Sequence, residues 1–217
     1  MDFQQARFNM VEQQIRTWEV LDQAVLDALF EVPREQFVPD TYRQLAFSDT
    51  RIPIGMGQSM MTPKVEARML QALNPGPRDR ALEIGTGSGY VTALLAHFAG
   101  SVVSVELYAA FTEAAAKRLR ARDISNVALI TADGLAGYAA QAPFDVIAAT
   151  GSYAQRQPAL EAQLAVGGRL FMVTGTGPAM EALLITRTTE HAFAVESLFE
   201  TELEPLIGAE SAPKFAF

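Results

Sequence analysis

The chain has 217 residues, 49% of them hydrophobic and 19% charged; this is enough apolar sequence to bury a globular core, and it excludes disordered, collagen-like and coiled-coil chains. Seventeen basic residues against 25 acidic ones leave a net charge of −8, a surface that repels phosphate backbones and argues against nucleic acid as a partner. With no cysteine, disulfides, thiolate metal sites, a catalytic Cys and Cys-ligated clusters are all ruled out.

Along the chain, the spacing of Phe8, Val11 and Ile15 predicts a helix over Ala6 to Thr17. A second runs from Leu21 to Phe30 with Val25, Leu26, Leu29 and Phe30 on its apolar face, and stops before Val32-Pro33 because a residue preceding proline disfavours the helical region. Residues 39–62 show little periodicity and read as an extended loop. Pro63 suits a first helical position, and Val65, Met69, Leu70 and Leu73 give a helix ending at Asn74. Past the turn cluster Asn74-Pro75-Gly76-Pro77 the rhythm changes. Strands are expected over Arg80–Ile84, Ser101–Glu106, Val127–Thr131, Phe144–Ala149 and Arg169–Thr174. Helices are expected over Tyr90–Phe98, Ala109–Arg122 and Pro158–Ala165, the last closed by Gly167-Gly168. Glu181–Arg187 and Phe193–Glu200 read as an antiparallel hairpin at one sheet edge. The expected fold is therefore α/β, a doubly wound and mostly parallel sheet with helices on both faces. Residues 1–78 form an N-terminal helical cover and residues 79–217 the main domain. The polar opening Asp2 to Arg7 has no signal-peptide pattern, and no run approaches the roughly 18 apolar residues of a membrane span, so a cytoplasmic protein is expected.

The strongest local signal is Leu82-Glu83-Ile84-Gly85-Thr86-Gly87-Ser88-Gly89-Tyr90, between a predicted strand and helix. Glycines there permit a sharp turn and a close approach of ligand to backbone at a helix N-terminus. A dinucleotide fingerprint would require glycine where Tyr90 stands, and no Walker Lys follows. Glu83, just before the turn, is unwelcome to a pyrophosphate and favourable to an ammonium group. Glu106 ends the second strand, the place where a doubly wound fold grips ribose hydroxyls, and Asp133-Gly134 follows the third. Three acids at successive strand ends around a glycine loop suit a ligand with a cationic amino acid, a ribose and an aminopurine: S-adenosylmethionine. Alone, Glu106 or Asp133 reads equally as a solvated strand end; together with the loop they read as a cofactor site.

These residues resemble the class I methyltransferases. Val32-Pro33-Arg34-Glu35-Gln36-Phe37-Val38-Pro39, Pro53-Ile54-Gly55-Met56-Gly57-Gln58 and Ala142-Pro143-Phe144-Asp145 narrow the resemblance to the protein-L-isoaspartate O-methyltransferases, over about residues 20–175. The resemblance implies a cofactor set of Glu83, Gly85, Thr86, Gly87, Ser88, Gly89, Glu106, Leu107, Asp133, Gly134 and Thr150, with no metal. It also implies methylation of the carboxylate of L-isoaspartyl residues in damaged proteins or peptides. The ester then closes to a succinimide that partly reopens to aspartate. Gln58 and Ser59 are the residues expected to orient the acceptor. The family's Gly-Gln-Thr-Ile-Ser reads Gly57-Gln58-Ser59-Met60-Met61 here, so Met61 replaces its active-site Ser. Thr150-Gly151-Ser152-Tyr153 replaces its Thr-Ala-Ala-Pro on what is expected to be a substrate-side loop. Leu203-Glu204-Pro205-Leu206 keeps a family-like Pro-Leu without the usual aromatic and basic neighbours. These departures leave two alternatives: a different small-molecule or peptide acceptor, or a non-catalytic S-adenosylmethionine-binding protein.

His97, within a helix, and His191, in a turn, read as surface residues rather than catalytic ones. A carboxylate acceptor, ionised above about pH 4, needs no general base. Met56, Met60 and Met61 fit either flexible core filling or an apolar wall over the reacting methyl.

Overall fold

In the computed structural model, residues 2–209 are described; Met1 and residues 210–217, the end of the predicted main domain, lie outside them. The cover opens with α1 (Phe3–Asn9), capped by the Asp2 carboxylate, and continues without a break as a π-helical turn over Met10–Ile15 and a 3₁₀ turn over Arg16–Trp18. The wider turn changes which residues face inward. Val11 and Ile15 are buried as expected and Met10 joins them at a spacing of five from Ile15, whereas Phe8, expected on the same face, is half exposed. Then comes α2 (Gln23–Glu31), whose N-cap is Asp22.

Residues 39–62 are not the expected loop. They contain a 3₁₀ helix over Asp40–Leu45 and a hairpin of β1 (Ile52–Gly55) and β2 (Gln58–Met60). These elements are too short to show a period. The hairpin turns because Gly55, Met56 and Gly57 all have positive φ. The cover ends with α3 (Pro63–Leu73), which has proline in its first turn and a left-handed Asn74 as its cap.

The main sheet has five parallel strands: β3 (Arg80–Ile84), β4 (Ser101–Glu106), β5 (Val127–Thr131), β6 (Phe144–Tyr153) and β7 (Leu164–Thr176). The expected antiparallel hairpin follows as β8 (Ala179–Arg187) and β9 (Phe193–Thr201). The strand order β5-β4-β3-β6-β7-β8-β9 reverses direction at β3, which makes a topological switch point at the carboxyl ends of β3 and β6. Helices α4 (Tyr90–Phe98) and α5 (Ala109–Arg120) make the first two crossovers. The third lacks a regular α-helix and uses a 3₁₀ turn over Ala139–Gln141, and α6 (Pro158–Glu161) is a single turn. The helix expected to reach Ala165 stops early because Leu164 already pairs with Phe144. Gly167-Gly168 then sit in the irregular part of β7, where Gly168 lies too close to Phe144 O to carry a side chain.

One continuous apolar core runs from the cover, through Met10, Leu26, Met61 and Leu70, to Leu94 of α4 and to Val146 and Phe171 on one sheet face. The other face buries Leu82, Val105, Ile147, Leu170 and Met172 under Leu160 of α6, with Leu135 and Tyr138 from the third crossover alongside. Trp18 ties the cover to the far sheet edge, meeting Phe199 edge-on at 5.1 Å with the Lys64 ammonium 4.6 Å from its ring. No helix among the described residues is long and apolar enough to cross a membrane.

Candidate active site

At the switch point lies a cleft of about 900 Å³, counting its open mouth. Most of the residues singled out from the sequence line it: Glu83, Gly85, Thr86, Gly87, Ser88, Glu106, Leu107, Asp133, Gly134 and Thr150 at one end, Gln58, Ser59 and Met61 at the other. Gly89 is not on its wall. Gly89 caps α4 in the left-handed region, where a Cβ would press on Ala115 of α5 at 3.0 Å, so it serves helix packing.

The glycine loop is held by Glu106 and Thr150. Gly87 N–H donates to Glu106 Oε2 at 2.8 Å, and Tyr108 N–H to Glu106 Oε1 at 2.9 Å. Glu106 is therefore a buried brace for the loop as well as a strand-end acid, with lone pairs left for a ligand. The Thr150 hydroxyl lies within hydrogen-bond distance of Ile84 O and Gly85 O, at 2.9 and 2.6 Å. A Cβ at Gly85 would meet that hydroxyl at 2.5 Å, and its φ of +94° independently calls for glycine. Asp133 is exposed and accepts Leu135 N–H in a tight turn.

Glu83 carries the unusual electrostatics. It is fully buried on β3, and its Oε2 accepts from the Ser104 and Thr92 hydroxyls, with Thr86 bonded in turn to Ser104. Its Oε1 is buried with no partner. Burial pushes its carboxyl up from 4.5 to about 8, the two hydroxyls pull it down, and the charge of Glu106 adds to the rise. A cation brought beside Oε1 would satisfy it and restore its charge. The donor set thus fits the ammonium of S-adenosylmethionine.

The other end is shaped by the cover. Met61 is buried, and its carbonyl accepts from Arg34 Nη2 at 2.6 Å. Arg34, also buried, pairs with Glu66 through Nε at 2.9 Å, donates to Ala46 O and lies over the Tyr90 ring. An Arg presenting a planar fork of five N–H groups can hold three backbone and side-chain acceptors at once. Ile54 overhangs the loop, and its Cδ1 stands 3.1 Å from where a Gly87 Cβ would be. Met60 and Met61 line the cleft, while Met56 is exposed at the hairpin tip.

Thr150 to Tyr153 do not form the expected loop. They continue β6, where Ser152 and Tyr153 pair with Val173 and Thr174 of β7, and the returning C-terminal segment adds further bonds: Ser152 N–H donates to Glu204 O and Leu206 N–H to Ser152 O. Tyr153 is buried and donates to Leu135 O, which places it in the core. The same segment brings Leu203, Glu204, Leu206 and Ile207 into the cleft wall. Sequence reasoning missed these and the supporting Arg34–Glu66 pair. The Pro205-Leu206 pair and the Arg34 segment were the only local signals for them.

His97 is a partly exposed helix residue near Glu31, and His191 an exposed turn residue, both away from the cleft.

The profile of the protein-L-isoaspartate(D-aspartate) O-methyltransferase family matches residues 5–211. The chain belongs to this family. It is 40% identical over 209 residues, 96% of this chain and 85% of the other, to a protein named protein-L-isoaspartate O-methyltransferase 1 from Rhodopseudomonas palustris strain HaA2. It is 41% identical over 202 residues, 93% of each chain, to a protein-L-isoaspartate O-methyltransferase from strain ATCC BAA-98 / CGA009 of that species. The fold is shared with a putative protein-L-isoaspartate O-methyltransferase from Plasmodium falciparum solved with S-adenosyl-L-homocysteine, at a TM-score of 0.77 and 18% identity over 95% of this chain and 98% of that one.

Proposed function

We infer that the protein is an S-adenosylmethionine-dependent O-methyltransferase that esterifies the free carboxylate of L-isoaspartyl residues in damaged proteins or peptides. When bound, S-adenosylmethionine supplies the sulfonium methyl that the acceptor oxygen takes. The observation that carries the reading is the unpartnered, buried Oε1 of Glu83 among the glycine-loop residues that line the cleft. It holds the cationic amino-acid end of the cofactor. Glu106 takes the ribose hydroxyls with the lone pairs its two backbone bonds leave free, and Asp133, at the next strand end, takes the purine amino group. Leu107 gives the purine an apolar neighbour. Gly85 and Gly87, with Thr86 and Ser88 between them, keep the loop close to the ligand, and Thr150 fixes where the loop begins.

At the acceptor end Gln58 and Ser59 orient the substrate, while Met60 and Met61 exclude water. An acceptor carboxylate is ionised at neutral pH, so the residues around it need only position it and keep the site dry. Residues 1–78 act as the cover that completes this end, over a cofactor-binding domain of residues 79–217. The partner is a peptide or protein rather than nucleic acid, as the net charge of −8 favours.

Incubating the protein with S-adenosylmethionine and an isoaspartyl peptide tests the reading by chromatography. The expected result is conversion of the isoaspartyl peptide into its aspartyl form through a methyl ester. An unchanged peptide, with cofactor binding intact, would overturn the substrate assignment and point to another acceptor.

A further inference from the structure

A second cavity of about 860 Å³, counting its open mouth, adjoins the cleft; Arg51, Gly175, Gly177 and Glu202 are on its wall. Leu203 and Glu204 line both spaces, so Glu204 stands at the partition between them. Its carboxylate is held on both sides by the cover. Ser59 Oγ donates to Oε2 at 2.9 Å, and Arg51 Nη1 lies 3.1 Å from Oε1. The backbone that presents it is tied to Ser152, which donates from Oγ to Leu203 O and from N–H to Glu204 O. Arg51 and Glu204 keep 37% and 35% of their side chains exposed, so this pair is open to exchange with a ligand. Among the described residues Arg51 has no other ion-pair partner.

We propose that Arg51 and Ser59 are the receiving pair for the acceptor carboxylate, and that Glu204 occupies that pair in the free protein as a built-in surrogate which the substrate displaces. The proposal rests on the carboxylate-acceptor reading above. A hydroxyl at the rim of the cofactor cleft and a guanidinium in the adjoining cavity offer a carboxylate one donor for each oxygen, and Glu204 is bound in that way. An incoming carboxylate and Glu204 repel each other, and the single hydroxyl proton of Ser59 serves only one of them, so one leaves as the other arrives. The guanidinium remains paired throughout, first within the chain and then with the peptide. The contrary role for Glu204 is that of a strut joining the β1–β2 hairpin to the C-terminal segment, and it predicts the opposite sign.

Calorimetry on the full chain saturated with S-adenosyl-L-homocysteine distinguishes the two. The probes are an isoaspartyl peptide and its twin in which that carboxylate is a carboxamide. Glu204→Gln keeps the size and the acceptor oxygen and removes the charge. Binding of the carboxylate peptide is expected to tighten about fivefold, a change in keeping with one partly exposed charged pair, while the carboxamide twin stays unchanged. Arg51→Met is expected to weaken the carboxylate peptide about tenfold, again without effect on the twin. Cofactor affinity should be unchanged in both variants. If both substitutions weaken the peptide, Glu204 is a strut, and if neither changes it, this pair does not receive the carboxylate; either result overturns the proposal. Transfer rates keep the two conclusions apart: tighter binding to Glu204→Gln with no methyl transfer by any form would overturn the proposed activity and leave the receiving pair standing. Normal transfer with no gain in affinity would do the reverse.

Discussion

Glu83 lies fully buried in β3, yet one of its oxygens has no partner and the residue forms part of the cleft wall. Its carboxyl is raised from 4.5 to about 8, so the folded protein binds a proton there more tightly than the unfolded chain does. The stabilisation this gives is complete below pH 4.5 and is lost as pH rises through about 8. Burial raises Glu66 too, against the pull of Arg34, so the informative quantity is the difference between wild type and Glu83→Gln. Without ligand, the melting temperature of wild type should fall relative to that variant as pH rises across this window. A cationic ligand beside Oε1 reverses the preference, so binding S-adenosylmethionine near neutral pH should release close to one proton. Titrations in two buffers of different ionisation enthalpy measure that release, and it should vanish in Glu83→Gln. Equal heats in both buffers for wild type would mean that Glu83 does not change its protonation state on binding and would contradict this reading.

At the scale of elements, the Met61 wall of the cleft is positioned by a buried ion pair between the segment after α2 and helix α3. Arg34 holds Glu66, the Ala46 carbonyl and the Met61 carbonyl together. Removing one partner strands a buried charge, so Arg34→Met should cost about 3–5 kcal/mol in denaturant unfolding, and adding Glu66→Met should restore part of it. If the double substitution is no more stable than Arg34→Met alone, the pair does not carry the energy assigned to it. The Arg34 segment was legible only as a family likeness, because nothing local says that its guanidinium turns inward to Met61. The β1–β2 hairpin was not legible at all: its strands have four and three residues, and its turn depends on Met56 adopting positive φ, a conformation glycine more often supplies. Helix α3 and strands β3 to β5 could be read with nearly correct ends, since each carries its own apolar period and stop signals.

For the whole molecule, the cofactor end and the acceptor end differ in where their residues come from. Glu83, the glycine loop, Glu106 and Asp133 lie within some 50 residues of one another on successive strand ends, so a doubly wound topology gathers them and the sequence pattern reveals them. The proposed acceptor end joins Ser59 to Glu204, 145 residues later, and Arg51 to the same carboxylate. That meeting depends on the C-terminal segment folding back beside Ser152 at the end of β6, whose pairing with β7 had already made strand of the expected Thr150–Tyr153 loop. No spacing rule reaches so far. The central claim is that these two ends together pass a methyl group to an isoaspartyl carboxylate. The most direct measurement is the initial rate of labelled methyl transfer from S-adenosylmethionine to an isoaspartyl peptide and to its aspartyl twin of the same sequence. The account predicts base-labile methyl ester on the isoaspartyl peptide and almost none on the twin. Equal labelling of both, or no labelling by a protein that binds S-adenosyl-L-homocysteine, would contradict it.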